Sequence, residues 1–223
     1  SVEELLEHLK APEDWTRQQA KLVMREMGAA KVIPALEKWV ATNLSSGPAH
    51  LHAKLEALWT CQCVDHVNEP LLRELMTCSE ASVRAAACRV AGDWAGQIPQ
   101  AQRLLAICVR DENPRVRLEA VRALAKIPSL ASAEVAATVL QYPVDRWIDY
   151  ALWLTLRELK AHWIEAVVAG LGDGEEALGG GAGVAVEYRP LSRPRGDLQP
   201  PLESGPRRSP HHVHPARGRT AMA

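Results

Sequence analysis

The stretch that decides the fold is Glu112–Leu124, ENPRVRLEAVRAL. Asn113 is a residue type that caps helix N-termini, and Pro114 suits the first helical position, where a backbone N–H lacks a partner. An apolar stripe follows at i, i+4 and i+8, formed by Val116, Ala120 and Leu124. The stretch therefore predicts one amphipathic helix with its apolar side turned toward a core.

The charged residues of this helix fall on the face opposite the apolar stripe, and they are Arg115, Glu119, Arg122 and Lys126. Glu119 lies four residues after Arg115 and three before Arg122, which is the spacing of neighbours on a helix surface. The sequence predicts that Glu119 pairs with both arginines inside the helix, each pair adding about 0.2–0.5 kcal/mol.

The V-R-x-x-A pattern of this helix recurs, with substitutions, at intervals of 35, 32, 33 and 32 residues. The position of Arg117 is occupied in successive units by Arg17, His52, Arg84, Arg117 and Asp149. A period of this length with a helical stripe is typical of stacked helix pairs. We therefore predict a structural ladder along these five register residues, with Asp149 as the partner of Arg117.

Residues 1–172 are predicted to form an all-α solenoid of about five helix pairs. Sustained period-2 alternation flanked by hairpin turns is missing, so we expect essentially no strand in this region. Large aromatic side chains are expected to fill the core and the contacts between units, with a smaller chance of forming a recognition surface. They include Trp147, Trp153 and Trp163. A binding surface is expected on the concave face built from the second helix of each pair.

Residues 173–223 have a different composition, rich in Gly, Pro and Arg, without apolar periodicity. This composition predicts a disordered tail. An alternative interpretation is that the segment is the out-of-frame translation of a GC-rich gene. The run His211-His212-x-His214 offers metal-ligand side chains, but in such a segment we interpret it as incidental.

Composition excludes several classes of function. The formal net charge is −1, which gives no global basic bias toward nucleic acid. The apolar runs are too short to span a bilayer. Five cysteines lie within predicted helices, which favours reduced and mostly buried thiols. Cys61 and Cys63 lie about 200° apart on a helix, so we predict no metal site there.

Recognisable catalytic motifs are also missing from the sequence. The chain has no nucleophile elbow, no phosphate-binding loop and no CxxCH haem-attachment motif. Asp145, Asp149 and Glu158 are acidic neighbours along one predicted helix, and we interpret them as structural. The sequence therefore predicts a non-catalytic chain with no cofactor, metal or membrane span of its own, and with a protein partner or neighbouring domains as ligand.

The V-R-x-x-A register after the turn Asp111–Pro114 resembles the HEAT repeat family. Several runs resemble more specifically the helical-repeat region of the large exported PVC-type haem-binding proteins, also described as membrane-bound dehydrogenase-like. The resemblance covers about residues 4–171. The runs are EDWTRQQAK at Glu13–Lys21, ALEKWV at Ala35–Val40, LEALWTCQ at Leu55–Gln62, VNEPLL at Val67–Leu72, PRVRLEAVRAL at Pro114–Leu124 and DRWIDYALWLTLRELKAHW at Asp145–Trp163.

In that family the repeats follow a β-propeller and precede a cytochrome c domain that carries CxxCH. The resemblance implies a fragment of a periplasmic or otherwise extracytoplasmic redox protein, in which haem c belongs to the parent and this segment is a docking scaffold. The alternative is that the segment forms part of a dehydrogenase or electron-transfer enzyme whose propeller and cytochrome domains lie outside this chain. A third interpretation is a free-standing regulator similar to the lyase-type HEAT-like modules that handle tetrapyrrole pigments.

Overall fold

Helices account for all regular structure in the described part of the protein. The computed structural model describes residues 1–43 and 50–172, and these ranges contain eleven α-helices, one short 3₁₀ helix and no strand. The helices are α1 (Val2–His8), α2 (Asp14–Met27), α3 (Ala29–Asn43), α4 (His50–Cys63), α5 (Glu69–Met76), α6 (Ala81–Asp93), α7 (Ala101–Cys108), α8 (Pro114–Leu124), α9 (Leu130–Ala137), α10 (Arg146–Glu158) and α11 (Lys160–Gly172), with the 3₁₀ helix at Thr138–Gln141.

These helices form five consecutive pairs, from α2 with α3 to α10 with α11. The first helix of each pair contacts the first helix of the next, in the order α2, α4, α6, α8 and α10. The additional helix α1 contacts both α2 and α3. This arrangement confirms the predicted all-α solenoid of about five helix pairs. The predicted tail, residues 173–223, lies outside the described residues.

The organising helix α8 forms for the local reasons visible in its sequence. The Asn113 side chain accepts a hydrogen bond from the backbone N–H of Arg115 at 2.9 Å, and Pro114 opens the helix. Its apolar stripe is completely buried at Val116, Ala120 and Leu124. Because each unit is too small to bury such a stripe alone, the core is shared with the neighbouring units.

The predicted ion pairs inside α8 are not formed. Glu119 accepts hydrogen bonds from Arg89 of α6, and Arg122 donates to Glu158 of α10 at 3.0 Å. The prediction was wrong because it considered an isolated helix. In the stack, α6 and α10 lie on either side of α8, so long side chains reach across to the neighbouring helix instead.

The starts of α6 and α9 show two different cap arrangements. Although Ser79 lies next to the start of α6, Glu80 occupies the cap position and makes no side-chain cap. At α9 the Ser129 hydroxyl accepts from the backbone N–H of Ser132 at 3.1 Å. Serine is suited to the cap at either position, so local chemistry alone does not decide between nearby candidates.

Helices α6 and α8 approach closely at Gly92. A Cβ atom added there would lie 2.9 Å from the Cβ and 3.0 Å from the Cα of Ala123. We expect Gly92→Ala to lower the free energy of unfolding by about 1–2 kcal/mol, because overpacking outweighs the gain in helix propensity. Urea unfolding followed by far-UV circular dichroism measures this loss.

The matched control is Gly96→Ala, since nothing lies within 4 Å of a Cβ at Gly96. If the close contact is responsible, Gly96→Ala leaves stability unchanged and Ala123→Gly partly rescues Gly92→Ala. A Gly92→Ala protein as stable as the parent would contradict the argument.

Candidate protein-docking site

Three of the register residues are buried arginines whose side chains donate hydrogen bonds to the loop before their own helix. In each case Nη1 donates to the carbonyl oxygens six and five residues earlier. The pairs are Arg17 with Ala11 and Pro12 at 2.6 and 2.8 Å, Arg84 with Cys78 and Ser79 at 3.0 and 3.0 Å, and Arg117 with Asp111 and Glu112 at 2.9 and 3.0 Å. The repeated geometry satisfies backbone carbonyls that the loop would otherwise bury without partners.

The other N–H groups of these arginines reach toward the next unit. Arg17 Nε donates to Glu56 at 2.8 Å, and Arg117 Nη2 donates to the carbonyl oxygen of Pro143 at 2.8 Å. Arg84 binds both carboxylate oxygens of Asp111, at 2.8 and 2.9 Å. Each arginine therefore joins its own helix, its own loop and the following unit.

Asp111 shows the electrostatic effect of this arrangement. Burial by itself raises the pKa of its carboxyl group, but hydrogen bonds from Arg84 and from the backbone N–H of Asn113 oppose this. With the positive charges of Arg84 and Arg117 added, the pKa of Asp111 lies below its ordinary value. The carboxylate is thus held in its charged form as an anchor between two units.

The other two register residues behave differently. His52 is half exposed, with Nε2 3.6 Å from a carboxylate oxygen of Glu56. Asp149 makes no side-chain hydrogen bond or ion pair within the described ranges, so the predicted Arg117–Asp149 contact is not formed. Arg117 Nη2 donates to the Pro143 carbonyl instead, and Arg117 Nε is buried without a hydrogen-bond partner.

A buried ion cluster lies between α2 and α4, and the sequence reasoning missed it. Glu56 is only 2% exposed and accepts from both Arg17 and Lys21, the latter at 2.5 Å. Lys21 Nζ also lies 5.2 Å from the ring centre of Trp59. The cluster forms one wall of an open cleft of about 780 Å³. Asp14 also accepts from Arg17, so the two positive charges of the cluster face two negative ones. This balance fits a structural role for the cluster.

The candidate metal ligands and acids are not assembled into a reactive site in the described residues. Burial raises the pKa of the Cys61 thiol to about 12, which disfavours the thiolate that binds metals. Asp145 caps α10 by accepting from the N–H groups of Trp147 and Ile148. Residues 1–43 and 50–172 contain no group of three His, Cys, Asp or Glu able to hold a metal ion. The tract His211-His212-x-His214 lies outside these ranges.

The tryptophans of α10 correct a prediction made from the sequence. Trp147 and Trp153 were expected in the core, but they are 59% and 45% exposed, and Tyr150 between them is 58% exposed. Trp163 is half buried, and its Nε1 donates to the Leu156 carbonyl oxygen at 2.8 Å. The prediction failed because α10 carries more aromatic side chains than the neighbouring helices in the described ranges cover.

Four of the exposed side chains on α10 form a single stripe, here named the α10 strip. Its members are Arg146, Tyr150, Trp153 and Arg157, at i, i+4, i+7 and i+11 on one helix face. The rings of Tyr150 and Trp153 stack with centres 5.8 Å apart, and the Arg157 guanidinium lies 5.3 Å from the Trp153 ring centre. Trp, Tyr and Arg are the residue types that dominate binding energy at protein interfaces.

The two arginines of the α10 strip make no ion pair with any residue in the described part of the chain. Arg146 lies over the ring of Trp147 at 4.6 Å, and Arg157 lies over that of Trp153. Elsewhere on the first helices, arginines such as Arg89 and Arg122 are paired with carboxylates. The strip therefore combines exposed aromatic surface with two unpaired positive charges.

No helix in the described ranges has the length and hydropathy needed to cross a lipid bilayer.

Exposed polar pairs join successive first helices of the stack. These pairs include Gln62 with Asp93 and Arg89 with Glu119.

The chain is similar to a known family model over part of its length and to solved structures. A search of curated proteins gives no significant match. Among solved structures, the chain is similar to the crystal structure of an engineered protein from the Northeast Structural Genomics Consortium, with 20% identity and a TM-score of 0.46, over 81% of this chain and 90% of that chain. The segment that begins at residue 68 and ends at residue 157, from α5 into α10, matches the family model of HEAT repeats.

Proposed function

We propose that residues 1–172 act as a non-catalytic helical-repeat scaffold for protein–protein or inter-domain docking. The observation that carries this proposal is the α10 strip, an exposed row of Tyr, Trp and Arg on a helix held rigidly in the stack. HEAT repeats generally mediate protein interactions, which supports the same function. The ion pairs between units add to the support, because the charged side chains that form them hold successive helices together.

We further propose that this scaffold belongs to a larger exported, haem-containing redox protein. The support is the resemblance of the quoted runs, most distinctively Asp145–Trp163, to the PVC-type haem-binding proteins. On this proposal the protein works in the periplasm or another extracytoplasmic space. Haem c sits in a cytochrome domain of the parent, and the chain described here carries no cofactor.

Two measurements test these proposals separately. Titration of the purified chain with haem should produce no bound-haem Soret band, and the appearance of one would overturn the non-catalytic scaffold. Sequencing the encoding DNA with its flanks, translated in three frames, should reveal a β-propeller upstream and a CxxCH motif downstream. Flanks without either would remove the redox parent and leave an independent docking module.

A further inference from the structure

Successive first helices are joined by polar contacts in which the earlier helix supplies a donor. A donor on the earlier helix meets a carboxylate on the later one at every junction in the described stack. The contacts are Lys21 with Glu56 at 2.5 Å, Gln62 with Asp93 at 3.0 Å, Arg89 with Glu119 at 3.2 Å and Arg122 with Glu158 at 3.0 Å. At the α6–α8 junction Lys126, just after α8, also donates in the opposite direction to Asp93. The face of each first helix that is turned toward the next unit, here named its leading face, therefore carries a donor that meets a carboxylate.

An apolar contact accompanies this polar one. On α8 the leading face includes Val121, which is completely buried, and its carbonyl oxygen accepts from the Thr155 hydroxyl of α10 at 3.1 Å. Leu118, one turn earlier on α8, is partly buried against the same core. Thus α10 contacts α8 at Val121, and both apolar residues are at least partly buried.

The α10 strip occupies the corresponding leading face of α10. With the interval of 32 residues that relates α8 to α10, Tyr150 stands where α8 has Leu118, and Trp153 stands where it has Val121. Arg157 lies one turn beyond Trp153 and has no carboxylate partner among the described residues. By the same interval Arg157 stands at the position of Ala125, directly after α8, so the strip repeats the apolar positions of the α8 leading face and carries its donor about one turn further along the helix. Nothing in the described ranges covers the strip.

We propose that the α10 strip binds an amphipathic α-helix of a partner protein, which lies along α10 as α10 lies along α8. This inference rests on the docking function proposed above and names its partner chemistry. Small or branched apolar residues of the partner helix pack on Tyr150 and Trp153, and carboxylates of the same helix bind Arg146 and Arg157. The two arginines are eleven residues apart, roughly 16 Å along the helix axis, so the partner carboxylates are separated by about three turns.

The charge of the strip selects this partner over a basic or neutral helix. Both guanidinium groups are already oriented by the aromatic rings beneath them, so little conformational entropy is lost when a carboxylate binds. A basic helix on the same face would bring its positive charges close to those of Arg146 and Arg157, and the like charges would repel each other. The aromatic residues supply contact area, and the arginines supply the selectivity.

The test uses the full chain and two helix-stapled, fluorescein-labelled peptides of identical apolar face. One peptide carries two Glu residues eleven positions apart, and the other carries Lys at the same two positions. Fluorescence anisotropy should show the Glu peptide binding with a dissociation constant of roughly micromolar order. The Lys peptide should bind at least tenfold more weakly, with the difference shrinking as salt is raised.

Three variants locate the site. Trp153→Ala should weaken the Glu peptide by at least tenfold, as expected for an aromatic anchor. Arg157→Glu should reduce the preference for the Glu peptide or reverse it. Trp15→Ala is the matched control, because Trp15 is an exposed tryptophan on α2, outside the strip, and its loss should leave binding within twofold. Far-UV circular dichroism verifies that each variant is folded.

Several outcomes would overturn the inference. Equal binding of both peptides would remove the charge selectivity, and equal effects of Trp153→Ala and Trp15→Ala would remove the site. Absence of peptide binding to the full chain would mean that another part of the protein holds the strip. Self-association in sedimentation experiments that disappears in Arg157→Glu would make a second copy the occupant. The haem titration described under the proposed function is a separate readout. The peptide experiments therefore test the partner of the α10 strip, and the Soret band tests the non-catalytic scaffold.

Discussion

Replacing Glu56 by Gln is expected to lower the free energy of unfolding by about 3–5 kcal/mol. Gln keeps the size of the side chain but removes the negative charge that neutralises Arg17 and Lys21. Both cations are nearly buried, so Lys21 would lose its carboxylate partner in a region of low dielectric, and Arg17 would keep only the exposed Asp14 as a counter-charge. Breaking a buried ionic cluster by removing one member costs more than the intact cluster contributes.

Urea unfolding followed by the far-UV helical signal measures this effect, with Glu158→Gln as the control. Glu158 also pairs with an arginine, but that pair is largely exposed and its loss should cost at most about 1 kcal/mol. A triple replacement of Arg17, Lys21 and Glu56 by Met should recover part of the stability, since no buried charge is left unpaired, while the carbonyl groups of Ala11 and Pro12 still lose their donor. A loss below about 1 kcal/mol in Glu56→Gln would show that water reaches the cluster.

Replacing Arg84 by Leu is expected to cost about 3 kcal/mol. The substitution removes both hydrogen bonds to Asp111 and leaves the carbonyl groups of Cys78 and Ser79 without their donor. It also leaves a mostly buried carboxylate unpaired between two units. Lys would not restore these contacts, because one ammonium group lacks the planar fork that binds the carboxylate and the loop together.

The acid dependence gives this prediction a second readout. The folded-state pKa of Asp111 is lowered, so its contribution is complete above the unfolded value of about 3.9 and is lost as the pH falls through the folded value. The stability difference between the parent and Arg84→Leu should therefore be largest near neutral pH and should shrink below about pH 4.

The control for Arg84→Leu is Arg89→Leu on the same helix. Arg89 pairs with Glu119 across the same α6–α8 junction, and Glu119 is as buried as Asp111, but Arg89 itself is exposed and donates to no loop carbonyl in the described ranges. The expected loss is therefore smaller, about 1–2 kcal/mol. Similar losses in the two variants would contradict the view that burial and the carbonyl contacts make Arg84 the stronger link.

The sequence predicts the repeated elements well because their causes are local. The helix at α8 follows from Asn113, Pro114 and the apolar stripe, and its recurrence at constant intervals predicts the stacked pairs. The buried arginines Arg84 and Arg117 stand at the positions that this recurrence singles out. Periodicity is a property of neighbouring residues, so one chain is sufficient to reveal it.

Glu56 was missed because its burial depends on residues far away in the chain. It stands in the apolar run Leu55–Leu58, and its partners Arg17 and Lys21 lie 39 and 35 positions earlier. A carboxylate in an apolar run, one repeat after two cations, is the signal in the sequence that points to such a cluster. How strongly Glu56 interacts with Arg17 and Lys21 depends on the distance between α2 and α4, and the sequence alone does not give that distance.

The exposure of Trp153 escaped prediction for a similar reason. Hydropathy predicts that a tryptophan at helical spacing is covered, and its equivalent Val121 is indeed buried. What decides burial is whether a following helix lies on that face. The pattern within α10 carries no information on this point, so only the assembled stack distinguishes a core position from a docking position.

The short reach of the connections between units has a consequence for how the protein acquires its structure. Among the side-chain hydrogen bonds described above, the most distant in sequence joins Arg17 and Glu56, 39 positions apart, and the arginine contacts to loops span only five or six positions. Low contact order of this kind favours rapid folding. Each pair can close onto the one before it as it leaves the ribosome, so assembly proceeds from the N-terminus without waiting for distant segments.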